Sequence, residues 1–165
     1  MSVDEVRITG GCQCGAVRYA LHAALGRPSI CHCRMCQKAF GSFFAPLVGV
    51  PVAAFELTRG KLAIFRSSDA VERGFCRDCG TPLSFHYVGT DVFDVSIGSL
   101  DDPAMAKPAI QFGLEGRLPW LDELDALPGR RTDEAEPADR LTLIERTNRQ
   151  HPDHDTDVWP VGPRR

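Results

Sequence analysis

"CHCRMCQ", residues 31–37, places Cys31, Cys33 and Cys36 within six positions, with a histidine between the first two. Thiols this close are poor disulfide partners, because a Cys31–Cys33 ring is too small for relaxed bridge geometry. Three donors are also one short of a closed tetrahedral metal site. The remaining cysteines fall into two pairs, Cys12 and Cys14 in "GGCQCGAV" (10–17) and Cys76 and Cys79 in "FCRDCGTPL" (75–83). Two plus two closes a site of four thiolates, and a C-x-x-C turn followed by glycine is a common half of such a site. Gly80 can take the left-handed conformation that brings backbone N–H groups toward the Cys79 sulfur. The fold is therefore expected to be organised by two metal sites.

The triplet stands apart as a three-donor site whose fourth ligand comes from outside, the usual form of a catalytic zinc centre. Three thiolates around Zn²⁺ leave a net charge of −1, a poor Lewis acid for water but a suitable holder of an added thiolate. The expected substrate is a thiol. Two plainer readings stand beside this one. The paired cysteines can be small buried hydrophobes, and one closed site can draw on some of the seven while the rest are spares, since spacing does not say which groups share an ion. His32 lies between two cysteines of an extended segment, so its side chain points away from their sulfurs and reads as a surface residue or a support to the ligands. Arg34 and Lys38 flank the cluster and can attract an anionic substrate, although solvated helix charges are common.

Composition narrows the setting. The chain has 165 residues, 43% of them hydrophobic, which suits one domain with a real core. Its net charge of −3 and pI near 5.9, without a run of Lys and Arg, argue against nucleic acid as a partner. "MSVDEVRITGG" (1–11) lacks the apolar core of a secretory signal. No stretch approaches the roughly eighteen apolar residues of a membrane span. A reducing cytoplasm is expected, where clustered cysteines bind metal more often than they pair.

Short apolar or alternating runs between turn signals dominate the first hundred residues: "VRIT" (6–9), "AVRYAL" (16–21), "SFFAPLVGV" (42–50), "LAIFRS" (62–67), "VERGF" (71–75), "LSFHYV" (83–88) and "VFDVSIG" (92–98). They predict a mainly β, mostly antiparallel fold with few short helices. "RMCQKAF" (34–40) is the one convincing short helix there, and "SLDDPA" (99–104) reads as a turn, or as a helical turn whose N-cap is Ser99 or Asp101. Phe40, Phe43, Phe44, Phe55, Phe65, Phe75 and Phe85 are expected in the core. After "LPWLDELDALPG" (118–129) the composition turns polar and proline-rich, with Pro137, Pro152, Pro160 and Pro163. Residues 1–129 are therefore expected to form the zinc-binding domain, and 130–165 a polar extension wrapped on it or partly disordered. "RLTLIERTNRQ" (140–150) can form a surface helix and "HPDHDTD" (151–157) is expected to be exposed. A chain ending near Leu127 should still fold and bind zinc. A homodimer using "RLTLI" (140–144) is left open.

"GGCQCGAVRY" (10–19), "CHCRMCQKAFGS" (31–42), "TRGKLAIFRSS" (58–68), "RGFCRDCGTPLSF" (73–85) and "DVSIGSLDDP" (94–103) together resemble the glutathione-dependent formaldehyde-activating enzyme family, which includes the centromere protein V type. The resemblance runs over residues 8–128 and takes in every cysteine. It implies a tent-like β fold and a carbon–sulfur lyase of the S-(hydroxymethyl)glutathione synthase kind, joining a small thiol such as glutathione to formaldehyde. It further implies two zinc ions, a structural one on Cys12, Cys14, Cys76 and Cys79 and a substrate-facing one on Cys31, Cys33 and Cys36. The rival expectation is a non-enzymatic zinc module, a thiol carrier or interaction domain of the same fold.

Overall fold

The computed structural model describes residues 6–160, so the first five residues of the N-terminal stretch and Pro163 lie outside it. Among the described residues ten strands form two sheets. In chain order they are β1 (Ile8–Gly11), β2 (Arg18–Leu21), β3 (Ser29–Cys31), β4 (Ala45–Pro51), β5 (Phe55–Arg59), β6 (Ala63–Ser68), β7 (Val71–Phe75), β8 (Pro82–Tyr87), β9 (Val92–Ser96) and β10 (Ile110–Phe112). The smaller sheet has the order β1-β2-β5 and the larger the order β10-β3-β4-β9-β8-β7-β6. All pairings are antiparallel except β10 beside β3. The mainly β fold read from the sequence is thus present.

Two cores explain the arrangement. The larger gathers Tyr19 and Leu21 of β2, Val48 and Val50 of β4, Leu83 of β8 and Val95 of β9 between the sheets, with Cys12 and Cys76 among them. β2 is buried at every position, as a strand covered on both faces should be. The smaller core holds Cys36, Ala45, Leu47, Val71 and Phe85 under the first helix, α1 (Arg34–Phe40). That helix begins at Cys33 and stops at Gly41, which takes the left-handed conformation helices commonly end on. Each cysteine group therefore has one edge in a hydrophobic core.

Several local expectations need correction. Of the phenylalanines assigned to the core, Phe43 and Phe65 are exposed, Phe65 by 61%. Phe43 stacks edge-on against Trp120, an arrangement that needs no burial. The 3₁₀ turn at Pro103–Ala106 is capped by Asp102, not Ser99 or Asp101, because the Asp102 carboxylate accepts from the Ala104 amide. Asp101 is instead engaged by Arg18. In the extension, α2 (Thr132–Ala135) and α3 (Ala138–Thr147) carry no buried residue. The chain then returns to the domain, and His151, expected to be exposed, is only 4% so. Its burial comes from contacts with residues far away in sequence, which a polar composition does not reveal.

Candidate metal centres

The loop after β1 supplies Cys12 and Cys14, and the turn between β7 and β8 supplies Cys76 and Cys79. The four sulfurs all lie within 4.8 Å of one another. Cys12 and Cys14 are 3.6 Å apart, and Cys14 and Cys76 3.8 Å. Sulfurs about 2.3 Å from a tetrahedral zinc are about 3.8 Å from each other, so the donor set fits such an ion. Local hydrogen bonds hold the arrangement. The Val17 amide donates to the Cys12 sulfur at 3.3 Å, and the Thr81 hydroxyl stands 3.1 Å from the Cys79 sulfur. Gly80 has a φ of +78°, the left-handed turn expected of it, and its amide donates to the Cys76 carbonyl.

Electrostatics divides these thiols. Burial pushes Cys12 and Cys14 up. Burial also acts upward on Cys79, but hydrogen bonds from the Thr81 hydroxyl and amide outweigh it and bring the thiol down to about 6. Clustered buried thiols resist ionising together. A cation removes that resistance, so metal binding here is coupled to proton release.

Cys31 ends β3, Cys33 caps α1 and Cys36 lies in its first turn, so the triplet is built from one continuous stretch. Its three sulfurs also lie within 4.8 Å of one another. Burial, reinforced by the neighbouring Cys36, pushes Cys31 up to about 12. Cys33 moves down, because hydrogen bonds from the Cys36 and Met35 amides outweigh its burial. Cys36 is raised by burial despite a cation beside it. Among the described residues these are the groups that bring three or more potential ligand atoms together, and His32 belongs to neither. It is fully buried, with Nε2 2.9 Å from the Gln111 carboxamide and Nδ1 unpartnered. The surface reading of His32 is therefore wrong. Gln37 helps fix this corner by donating to the His32 and Gly116 carbonyls at 2.8 Å.

Sequence reasoning missed Arg73. It is 7% exposed, donates from Nη2 to the Cys36 sulfur at 3.5 Å and from Nε to the Ser67 hydroxyl at 3.2 Å, and lies 5.0 Å from the centre of the Phe85 ring. Its Nη1 is buried and unpartnered. A buried cation beside these sulfurs favours their ionised form and opposes the effect of burial on Cys36. The only signal in the sequence was an arginine interrupting the strand "VERGF".

Residues 7–115, more than half of the chain, match the model of the family described as glutathione-dependent formaldehyde-activating enzyme. A protein of Phaeosphaeria nodorum, provisionally named a glutathione-dependent formaldehyde-activating enzyme, is 33% identical over 92 residues. The match takes in 54% of this chain and 46% of that protein, so the chain spans about half the length of this curated relative. A crystal structure of a Rhodobacter sphaeroides protein shares the fold with a TM-score of 0.51 at 21% identity, over 62% of this chain and 98% of that one.

Proposed function

The chain belongs to the glutathione-dependent formaldehyde-activating enzyme family, and from that membership we propose that it is a zinc-dependent carbon–sulfur lyase joining a small thiol, glutathione or a relative of it, to a small aldehyde such as formaldehyde. The observation that carries the proposal is the triplet, in which three converging sulfurs supply three protein donors where a tetrahedral ion takes four. Cys31, Cys33 and Cys36 would hold the substrate-facing zinc, and Cys12, Cys14, Cys76 and Cys79 a structural one. Bound zinc favours the thiolate form of an added thiol at neutral pH.

The residues of the chain do the remaining work. Arg73 places a fixed positive charge against Cys36, which offsets part of the negative charge gathered by the thiolates. α1 and β3 fix the sulfurs through backbone geometry, and Gln37 ties the helix to the His32 and Gly116 carbonyls. In the reaction the thiol loses its proton to solvent. A sulfur–carbon bond forms at the aldehyde carbon, and the carbonyl π pair moves to oxygen, which takes up a proton. The product is a hemithioacetal and there is no net oxidation. The protein contributes thiol deprotonation and positioning.

No helix among the described residues is long and apolar enough to cross a membrane. A cytoplasmic setting, with 1–129 as the catalytic domain and 130–165 as its extension, completes the reading.

Cobalt in place of zinc makes ligand exchange visible. Glutathione should raise the sulfur-to-cobalt charge-transfer band, and formaldehyde–glutathione exchange measured by NMR should accelerate in proportion to protein. A band change without acceleration would identify a thiol carrier. No change with any small thiol would overturn the proposal.

A further inference from the structure

Residues 150–159 lie beyond the stretch that matches the family, yet they bind the loop that carries two cysteines of the enclosed site. The Gln13 carbonyl accepts from the His151 amide at 2.7 Å, and the Cys14 carbonyl from the Trp159 indole at 2.8 Å. Arg59, at the end of β5, donates from Nη1 to the Gly15 carbonyl at 3.2 Å and from Nη2 to the Thr156 hydroxyl oxygen at 3.2 Å. It thus holds loop and segment together. The same loop reaches the other cysteine pair, because Thr81 Oγ1 accepts from the Gln13 amide at 3.1 Å and stands 3.1 Å from the Cys79 sulfur.

Polar contacts hold this segment, not an apolar seal. Of residues 151–160 only His151 is buried, and a polar cavity of about 260 Å³ lies between Gln150, His151 and Asp153 on one side and Cys12, Gln13 and Thr81 on the other. α2 and α3, which lead into the segment, carry no buried residue. Such an element can leave without opening the core, as local release needs. Its docking depends on where the loop presents its carbonyls, and that loop must also hold the Cys12 and Cys14 sulfurs 3.6 Å apart. Resting on the structural-zinc part of the reading above, we infer that residues 150–159 form a metal-responsive latch. The ion on Cys12, Cys14, Cys76 and Cys79 and the docked segment stabilise one another through the loop, so loss of the ion frees the segment. By linkage, docking raises the affinity for the ion by the same factor.

Competition with a chromophoric chelator gives the zinc affinity of each site on the full-length protein. Trp159→Phe and Arg59→Gln should each weaken the four-cysteine site about tenfold and leave the triplet unchanged. Hydrogen exchange followed by mass spectrometry reads the coupling in the other direction. Removing the ion from the four cysteines should raise exchange in residues 150–159 about tenfold while β4 and β9 stay protected. Unchanged zinc affinity in both variants would overturn the latch. So would equal weakening of both sites, or exchange in the segment that ignores zinc or rises only together with the core strands. If zinc analysis of the purified protein finds no ion on the four cysteines, the structural-zinc reading falls and the latch with it.

Discussion

Cys76 is 1% exposed in the core between the sheets, whereas Cys33 is half-buried at the start of a short helix. Equal chemical changes at the two should therefore have unequal effects. Cys76→Ser would leave three protein donors at the enclosed site and a hydroxyl among apolar neighbours. We expect a loss on the order of 3–5 kcal/mol, because a structural zinc contributes directly to folding. In a domain of this size that lowers the melting temperature by roughly 10 °C. Cys33→Ser should weaken metal binding at the triplet and move the melting temperature by only a few degrees, about 1 kcal/mol or less. Calorimetry with zinc analysis on both variants checks this, and the opposite ranking would exchange the roles of the sites. The cysteines were legible in the sequence because metal-binding spacings are local: C-x-C and C-x-x-C place two sulfurs together whatever the rest of the chain does. Arg73 was not legible, since its meaning depends on Cys36, thirty-seven positions away in sequence.

Residues 150–159 form a strap across the loop that carries Cys12 and Cys14. The His151 amide donates to the Gln13 carbonyl at 2.7 Å, and the Trp159 indole donates to the Cys14 carbonyl at 2.8 Å. Gly15 has a φ of +77° and lies so close to the His151 ring that a Cβ there would collide with it. Asp155 accepts from Arg7 at 2.7 Å and from Arg18, the latter also bound to Asp101. His151 Nδ1 lies 2.7 Å from the Pro152 carbonyl, to which it donates, so the neutral ring leaves Nε2 to accept from Arg59 at 3.2 Å, with the Thr156 hydroxyl oxygen 3.1 Å away. Removal of residues 150–165 should leave a folded domain whose melting temperature falls by several degrees, equivalent to about 2–3 kcal/mol, and which loses zinc to a chelator faster.

Acid should open the same strap in two steps. Burial, aided by Arg18 and Arg59, pushes His151 below its usual value, against the opposing hydrogen bond to the Pro152 carbonyl and the charge of Asp101. The His151 contribution is whole above about pH 6.5 and is lost as the pH falls toward the lower folded value. Burial pushes Asp155 up, but Arg7 and Arg18 outweigh it and hold the carboxyl below the usual range. That contribution is whole above about pH 3.9 and disappears as the pH falls through the folded value. Trp159 fluorescence in a Trp120→Phe background should report both steps, and a single acid transition would remove His151 from the account. Strand and helix periodicity placed α1 and α3 well, and most of "HPDHDTD" is exposed as read, but the burial of His151 was hidden because the partners of this segment lie up to 148 positions away.

Across the whole molecule, the two candidate metal sites differ in what they join. Cys12 and Cys14 follow β1 in the smaller sheet, while Cys76 and Cys79 lie between β7 and β8 in the larger one. A shared ion would staple the two sheets at the edge of the core that Tyr19, Leu21, Val48 and Leu83 form between them. The triplet spans only the β3–α1 junction, so its metal would tie together residues that the chain already holds close. The entropy removed by a cross-link grows with the loop it closes. The Cys14–Cys76 link closes a loop of sixty-two positions, against five from Cys31 to Cys36. Graded chelation should therefore release zinc in two stages. The first ion, from the triplet, should leave the near-ultraviolet circular dichroism and the melting temperature nearly unchanged while abolishing thiol binding. Loss of the second should lower the melting temperature by more than about 10 °C and weaken the tertiary signal, since structural zinc sites carry folding free energy outright. Parallel titrations of released zinc, circular dichroism and glutathione binding test this order. If thiol binding and tertiary structure are lost together with the first ion, the enclosed site and the substrate-facing site are not separate in function.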